Sequence, residues 1–364
     1  MTNLLLKTAQ SRRPLRVGFV PLCDCAPIVI SKELGLFARC GVKVELSREA
    51  GWATIRDKIV YRELDAAHAT AQMVFSTSLG LGSIAAPCVT GMVLNLHGNA
   101  ITLSNRLWAA GVRNGATLKA HIKASRRSAQ LVFGVVFRYS SHDFLLRKWL
   151  RMNGIDPERD VRIVIVPPPQ MASNLKAGNL EGYCVGEPWN SVAVQQRAGW
   201  IVELSEAIAP LHPEKVLMVR EEFASSRAEE HVRLLAALLE ACVYCDQPGN
   251  RERLVEVLGQ HQYVNAAPAA LRASFCGPLD LGQGRSASSS NFHIFSRLNA
   301  NQPTLERAAS VLQHLREARA LAEDARVTPD DLPAYFRNDI YHQAIQVTQS
   351  HEKNPHSYEA APRA

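Results

Sequence analysis

With 364 residues, the chain is too long for a single ordinary hydrophobic core and long enough for two lobes of typical domain size. Apolar residues make up 47% and charged residues 21%, a globular balance that excludes a disordered chain. The formal charge of +7 is modest for this length, and Lys and Arg occur in no long run, so direct nucleic-acid binding is not predicted.

The first residues bear on whether the protein is exported. The only apolar run before residue 13 is LLL at 4–6, whereas a secretory signal needs roughly 7–15 apolar residues. Arg12 and Arg13 resemble a twin-arginine signal, but the apolar stretch at 17–22 is predicted to be the first strand of the fold. No segment reaches the roughly 18 apolar residues of a membrane span. We therefore expect a cytoplasmic protein without membrane contact.

The first part of the chain alternates strands and helices. β-Branched runs predict strands at 16–22, 42–46 and 64–68, and helical apolar spacing predicts helices at 26–36 and 54–61. This βαβα rhythm predicts a parallel sheet covered by helices.

The pattern restarts after a further strand at 87–94. Strands are predicted at 130–137, 161–166 and 182–186, with an amphipathic helix at 142–153, and the chain beyond Arg227 is mainly helical. Two crossovers, near 99–105 and 189–204, join the two units. We predict a two-lobed α/β clamp with a ligand cleft: lobe I comprises 14–104 and 205–345, lobe II comprises 105–204, and 346–364 form a flexible tail.

Eight cysteines could suggest metal or disulfide chemistry, but their spacing argues against it. Cys242 and Cys245 lie in an apolar helical stretch with no second Cys or His pair at zinc-finger spacing. We predict buried thiols here, and we expect neither a metal nor a cofactor.

Polar side chains in loops after the strands are the candidate ligand contacts, because ligands of open α/β folds bind at the carboxyl ends of strands. Trp52 precedes a helix, and its indole N–H is only a donor, which suits an anion; a Trp that caps the core is an equally good interpretation. Asn99 follows the strand that leaves the first unit, and its amide can donate to an oxyanion beside Gly98. A turn residue is the alternative, favoured before other information.

Three more candidates follow in the second half of the site. His142 lies in the first turn of the predicted helix, where free N–H groups bind anions; the alternative is a solvated His beside a capping Ser141 or Asp143. Gly186 follows a strand, where backbone N–H groups can point at a ligand or simply form a turn. Lys215 is a lone cation in a predicted loop, and such a lysine is normally solvated.

The chemistry of these five residues favours binding over catalysis. The sequence contains no nucleophile elbow, phosphate-binding loop or zinc-protease motif. The candidates are donors with hardly an acceptor among them, whereas catalysis needs a positioned base. The set predicts an anion-binding protein with no catalytic residues, not an enzyme.

Seven segments, spread over roughly residues 15–345, carry a family resemblance. They are GFVPL (18–22), DCAP (24–27), SREAGWATIRDK (47–58), LDAAH (64–68), NLHGNAITL (95–103), PPPQM (167–171) and CVGEPW (184–189). Together they are similar to the nitrate- and bicarbonate-binding proteins of ABC transporters. The resemblance implies a type II periplasmic-binding-protein-like clamp with an anion between the lobes. It places ligand contacts at Trp52, Asn99, His142, Gly186 and Lys215.

Lys215 separates the two ligand classes within this resemblance. The bicarbonate binders carry an acidic residue at this position, which helps hold calcium, whereas the nitrate binders carry Lys, which can neutralise the anion directly. The resemblance therefore implies nitrate or nitrite. Asn99 stands where the transporter proteins more often have Gln, and its shorter side chain changes the reach to the anion.

The expected cytoplasmic location makes the chain most similar to the NasS-type nitrate/nitrite sensors. In that group the ligand-free protein holds an RNA-binding antiterminator with an ANTAR domain (NasT-like) inactive, and the anion releases it. Two alternatives remain. One is the substrate-binding component of a nitrate ABC transporter; the other is an enzyme like the thiamine-pyrimidine synthases, for which the cysteines Cys23 and Cys25 are too sparse.

Overall fold

The computed structural model describes residues 13–124, 130–321 and 327–353. Its strands are β1 (Leu15–Phe19), β2 (Val44–Arg48), β3 (Ala66–Thr70), β4 (Cys88–His97), β5 (Asn99–Ser104), β6 (Leu131–Val135), β7 (Val161–Ile165), β8 (Gly182–Gly186), β9 (Gly199–Leu204), β10 (Pro213–Arg220), β11 (Leu279–Gly282), β12 (Arg285–Ala287) and β13 (His293–Ile294). Its helices are α1 (Ala26–Glu33), α2 (Leu36–Arg39), α3 (Trp52–Val60), α4 (Gln72–Ser78), α5 (Asn105–Ala109), α6 (Gly115–Ala124), α7 (Ser141–Met152), α8 (Met171–Ala177), α9 (Trp189–Gln195), α10 (Ser205–Ile208), α11 (Glu221–Ser226), α12 (Ala228–Asp246), α13 (Arg251–Leu258), α14 (Pro268–Phe275), α15 (Leu305–Glu317), α16 (Leu332–Tyr335) and α17 (Asn338–Lys353).

The first lobe is built on a six-stranded sheet in the order β13-β4-β10-β3-β1-β2. β1 pairs in parallel with β2 and β3, as the βαβα rhythm predicts, whereas β10 returns antiparallel between β3 and β4. The helix predicted at 26–36 is divided, because Gly35 adopts a left-handed φ of 67° between α1 and α2.

The second lobe is built on a five-stranded sheet in the order β7-β6-β8-β5-β9. β5 belongs to this sheet, where it pairs with β8 on one side and β9 on the other. The predicted lobe boundary at residue 104 is therefore wrong for 99–104. A continuous apolar stretch gives no sign of the point at which a chain changes sheets, and here that point is Gly98.

Gly98 makes the crossover from β4 to β5 possible. The φ angles of His97 and Gly98 are 61° and 93°, which turn the chain sharply from one sheet into the other. A Cβ on Gly98 would lie 2.5 Å from Cε1 of the buried His293, so only glycine fits this close approach. The second crossover, after β9, ends at Leu211, whose φ is 55°.

The helical C-terminal region was predicted to belong to lobe I alone. In the structure it contacts both lobes. α12 packs against α1 and α17 of the first lobe, whereas α14 and β11 pack against α9 of the second. α15 touches α4 in the first lobe and α7 in the second. α14 is followed by Cys276, which is exposed, whereas the other seven cysteines, including Cys242 and Cys245, are buried.

Both ends of the chain extend beyond the described residues. α17 continues to Lys353, so the beginning of the predicted flexible tail at 346 is helical, and 354–364 lie outside the described residues, as do residues 1–12. Within the described ranges no helix is both long enough and apolar enough to span a bilayer.

Candidate functional site

The structure brings the five predicted site residues together between the two sheets. Trp52, the first residue of α3, and His142, in the first turn of α7, have ring centroids 5.2 Å apart, and Nζ of Lys215 lies 5.4 Å from the Trp52 ring. Trp52, Asn99, His142 and Lys215 are all fully buried. The two lobes therefore meet over these residues.

Asn99 and Gly186 face each other across the β5–β8 pairing. A Cβ on Gly186 would lie 3.2 Å from Oδ1 of Asn99, 3.6 Å from Oδ2 of Asp24 and 3.1 Å from Leu22. Since Asp24 and Leu22 belong to the first lobe, the absence of a side chain at position 186 lets the two lobes come this close.

The sequence around Lys215 predicts a solvated lysine in a loop, and both predictions are wrong. It lies within β10, and its ammonium is 2.7 Å from Oδ2 of Asp24 and 2.5 Å from Oε1 of Glu214. We call Asp24, Glu214 and Lys215 the ion cluster. A fully buried lysine requires such partners, because an unpaired charge away from water is very unfavourable.

Glu214 is the most connected side chain of the site, and it was not among the predicted residues. Its Oε1 accepts from Ser141 Oγ at 2.7 Å, and its Oε2 accepts from Asn99 Nδ2 at 2.6 Å. Nε2 of His212 is 3.2 Å from the same Oε2. The expectation of a donor set with hardly an acceptor is therefore wrong. An acidic residue next to a lysine, directly before four apolar residues of the same strand, was the available signal.

The pKa values in the ion cluster are governed by burial and by mutual attraction. Burial disfavours the ammonium of Lys215, but Asp24 and Glu214 outweigh it and raise the pKa. Burial likewise opposes the Asp24 carboxylate, yet Lys215 and then His68, 3.0 Å away, lower its pKa to about 2. The same balance, with Lys215 and His142 as the main attractive partners, holds the pKa of Glu214 well below its usual range. All three groups are charged near pH 7.

His142 is neutral near pH 7. Burial lowers its pKa to about 3, although the Glu214 carboxylate opposes this shift. Its Nε2 lies 3.8 Å from Oε1 of Glu214, too far for a hydrogen bond, and neither ring nitrogen has a hydrogen-bond partner among the described residues. Ser140 caps α7 by accepting from the N–H of Asp143, so the cap is neither of the two predicted alternatives, Ser141 and Asp143.

Several further buried polar groups make no hydrogen bond with the described residues. Among them are Nε1 of Trp52 and the side-chain amide of Gln72, the first residue of α4. Gln72 lies near the ion cluster, because the preceding Ala71 donates its N–H to the carbonyl of Glu214. Gln72 directly precedes three apolar residues, Met73, Val74 and Phe75, so it could have been nominated from sequence. Buried polar groups in this state are suited to receive a polar ligand.

Hydrogen bonds to backbone carbonyls also join the two lobes beside the site. The N–H of Cys23 donates to the carbonyl of Glu187 at 2.7 Å, and Nε1 of Trp189 donates to the carbonyl of Pro21 at 2.9 Å. Glu187 itself is buried, which raises its pKa to about 7. In the described ranges no group of three His, Cys, Asp or Glu side chains has the geometry of a metal site.

Two α/β sheets joined by paired crossovers, with a buried polar cluster between them, define a two-lobed ligand-binding protein of the periplasmic-binding-protein type. The chain belongs to the NMT1-like family, which it matches over residues 8–259. The crystal structure of the periplasmic nitrate-binding protein NrtA from Synechocystis superimposes with a TM-score of 0.87 at 26% identity, covering 94% of this chain and 91% of that one. The fold prediction is thus confirmed, and the similarity to a nitrate-binding protein supports the prediction that the chain is not an enzyme.

Relatives of the chain carry names that refer to two different anions, nitrate and bicarbonate. The chain is 40% identical over 305 residues to the nitrate import ATP-binding protein NrtC of Synechocystis, covering 83% of this chain and 45% of the relative. It is 37% identical over 292 residues to the bicarbonate transport ATP-binding protein CmpC of Synechococcus elongatus, covering 80% and 43%. The chain therefore spans less than half the length of these two relatives.

Proposed function

We propose that this protein binds nitrate or nitrite between its lobes. The observation that carries the proposal is a buried ammonium, Lys215, surrounded by the donor groups of Trp52 and His142, which have no hydrogen-bond partner among the described residues. An enclosed cation with spare donors is complementary to a small, planar oxyanion. The similarity to NrtA, whose name states nitrate binding, supports the same ligand.

The ion cluster favours nitrate over bicarbonate. Calcium would need several oxygen ligands, but the carboxylates of Asp24 and Glu214 are already paired with the ammonium of Lys215. A divalent cation would have to displace that ammonium. The relatives named for bicarbonate transport make bicarbonate the ligand to test against.

Calorimetric titration of the purified chain with nitrate, nitrite, bicarbonate and sulfate tests the ligand. Bicarbonate is titrated with and without calcium. We expect nitrate or nitrite to bind, and bicarbonate to give no heat of binding under either condition. Binding of bicarbonate with no response to nitrate would contradict the proposal.

We further propose that the protein is a cytoplasmic sensor of the NasS type, which holds an ANTAR-type RNA-binding antiterminator (NasT-like) and releases it on binding the anion. Glu214 accepts hydrogen bonds from Ser141 and Asn99 of the second lobe, which supports a closed state joined through the ligand site. An anion that binds the closed state better shifts the population towards it, and a partner that fits the open state is then lost.

A pull-down with the candidate antiterminator tests the sensor role. The partner should be retained without nitrate and released when nitrate is added at concentrations that saturate the titration. A Lys215→Met variant, which we expect not to bind nitrate, should keep the partner at every concentration. A complex that persists in saturating nitrate would rule out release by the anion.

A transporter component is the second candidate function, because the names of the relatives NrtC and CmpC state import or transport. The two candidates predict different complexes. Purification of the tagged chain from its native cell separates them: a sensor co-purifies with a soluble RNA-binding partner, and a transporter component co-purifies with membrane permease subunits. Fractionation of the same cells tests the proposed cytoplasmic location.

A further inference from the structure

The candidate site contains more negative than positive charge of its own. The single ammonium of Lys215 faces two carboxylates, Asp24 and Glu214, and all three side chains are fully buried. A monovalent anion held beside them raises the count to three negative charges against one positive. Because water is excluded, this excess is poorly screened.

His142 is the neutral group best placed to correct that excess. It lies 3.8 Å from Glu214 and against the Trp52 ring, and both of its nitrogens lack a hydrogen-bond partner among the described residues. One nitrogen can therefore face the anion while the other faces the carboxylate. A protonated imidazole donates from both nitrogens, whereas a neutral one donates from only one.

Two other buried histidines lie within hydrogen-bonding distance of the ion cluster. Both ring nitrogens of His212 are engaged, since Nε2 is 3.2 Å from Glu214 and Nδ1 is 2.7 Å from the carbonyl of Ala209. Nε2 of His68 is 3.0 Å from Oδ1 of Asp24, while its Nδ1 has no hydrogen-bond partner among the described residues. His142 is distinguished by its contact with the Trp52 ring, and proton uptake through His68 would persist in His142→Gln.

Two other acidic groups lie near His142 or next to the predicted contact Gly186. Asp143, next to His142 in α7, pairs with Arg138 and with Arg147, whose Nε is 2.9 Å away, so its charge is compensated locally. Glu187 accepts from Ser274 Oγ at 3.1 Å, and burial raises its pKa to about 7, so it also titrates between pH 6 and pH 8. Proton exchange at Glu187 would persist in a variant that lacks His142, which separates the two groups.

We propose that the protein takes up its anion together with one proton, which His142 accepts from solvent, and that Glu214 is the residue that makes this uptake necessary. The inference rests on the proposed function. It also makes Glu214 a specificity-determining residue, because a divalent anion such as sulfate would bring a second uncompensated charge into the closed site.

The sign of the pH dependence follows from linkage. Burial holds the pKa of His142 low without the anion, to about 3, and an anion beside the ring raises it. Between these two pKa values the affinity falls as pH rises, by up to about tenfold per pH unit for one proton. Above the raised pKa the affinity becomes independent of pH.

Nitrate titrations between about pH 6 and about pH 8, in buffers of different ionisation enthalpy, measure the proton count directly. We expect uptake of close to one proton at the acidic end, and weaker binding as pH rises. Nitrate binding with no proton uptake and a flat affinity over this range would overturn the inference while leaving the proposed function intact. Absence of nitrate binding at every pH would instead overturn the proposed function.

Three variants identify the groups involved. His142→Gln keeps an amide donor but cannot gain a proton, so its nitrate affinity should not depend on pH. Glu214→Gln removes the excess charge, so it should bind nitrate without proton uptake and more tightly than the native protein near pH 8. The matched control is His231→Gln: His231, in α12, is also fully buried, both of its ring nitrogens lack a hydrogen-bond partner among the described residues, and burial lowers its pKa to about 4, but its charged neighbour is Arg337 and not the ion cluster. Loss of proton uptake in the control, or its persistence in His142→Gln, contradicts the assignment.

Discussion

The two walls of the cleft differ in kind. The first wall, from the first lobe, presents Trp52 and the ion cluster, so it carries all the formal charge of the site. The second wall, from the second lobe, presents Asn99, Ser141, His142 and Gly186, which are neutral near pH 7.

This difference indicates a division of roles between the lobes. Interactions between charges act over distances of several ångströms, so the ammonium of Lys215 can act on an anion before the lobes meet, although Asp24 and Glu214 oppose that attraction. Hydrogen bonds act only at contact, so the second wall contributes once the lobes meet. Removal of the ammonium from the first wall should therefore abolish binding, whereas changes in the second wall should weaken closure.

Lys215→Met in the first wall should have the largest effect. It leaves the carboxylates of Asp24 and Glu214 buried without a cation, which should lower the free energy of unfolding by about 3–5 kcal/mol and abolish nitrate binding. Denaturant unfolding and calorimetry measure the two effects. The double variant Asp24→Asn with Lys215→Met should recover part of the stability, because only the Glu214 carboxylate then lacks its cation, without recovering binding.

The control for this variant is Lys43→Met, which removes an exposed lysine of the first lobe and should change neither property. If Lys215→Met bound nitrate as tightly as the native chain, the charged wall would not be the anion site.

Gly186→Ala in the second wall should have the next largest effect. The added Cβ would lie 3.1 Å from Leu22 and 3.2 Å from Asn99, so the closed lobes must move apart slightly. We expect nitrate affinity to fall about tenfold, or about 1.4 kcal/mol, as measured by calorimetry. Gly277→Ala, where a Cβ meets nothing within 4 Å, is the matched control. Equal nitrate affinities for the two variants would show that a side chain at position 186 does not hinder closure of the lobes.

Ser141→Ala removes one hydrogen bond between the walls. Glu214 keeps Lys215, Asn99 and His212 as partners, so the loss should be about 1 kcal/mol, a nitrate affinity about fivefold weaker. Ser173→Ala, at an exposed serine of the same lobe, should leave the titration unchanged. A larger loss from Ser141→Ala than from Gly186→Ala would reverse the order expected for the second wall.

Trp52→Phe should have the smallest effect, and it tests the neutral part of the first wall. The substitution keeps a ring against His142 but removes the indole N–H, which has no hydrogen-bond partner among the described residues. Thermal stability should therefore be unchanged, while nitrate affinity falls about twofold to fivefold. Unchanged affinity would show that the indole N–H does not contact the anion.

Most of the fold could be predicted from local pattern, because strand and helix periodicities are local properties. β8 was predicted with its observed bounds, and α7 differs from its prediction by a residue at each end. The sheet to which β5 belongs could not be predicted, since both sheets accept the same apolar strand and only the turn at Gly98 decides between them.

The site could be predicted only in part, because contacts between residues far apart in the chain are not visible in local sequence. Donor side chains after strands are visible in the sequence, and the structure brings all five together; their contact with a ligand stays a prediction. The ion cluster was not foreseen, because Asp24 and Lys215 are far apart in the chain and meet only when β10 inserts beside β3. Lys215 read alone is an ordinary surface lysine, and its burial depends on partners that local sequence does not reveal.

Cys276 offers a direct way to watch the lobes move. Of the eight cysteines it is the exposed one, and it follows α14, which touches α13 in the first lobe and α9 in the second. Burial raises the pKa of the thiols at Cys23, Cys184 and Cys245 well above the usual range, so these sulfurs react slowly. A thiol-reactive fluorophore should therefore attach at a single position of the native chain. Its emission would report opening and closing in real time, without any engineered cysteine.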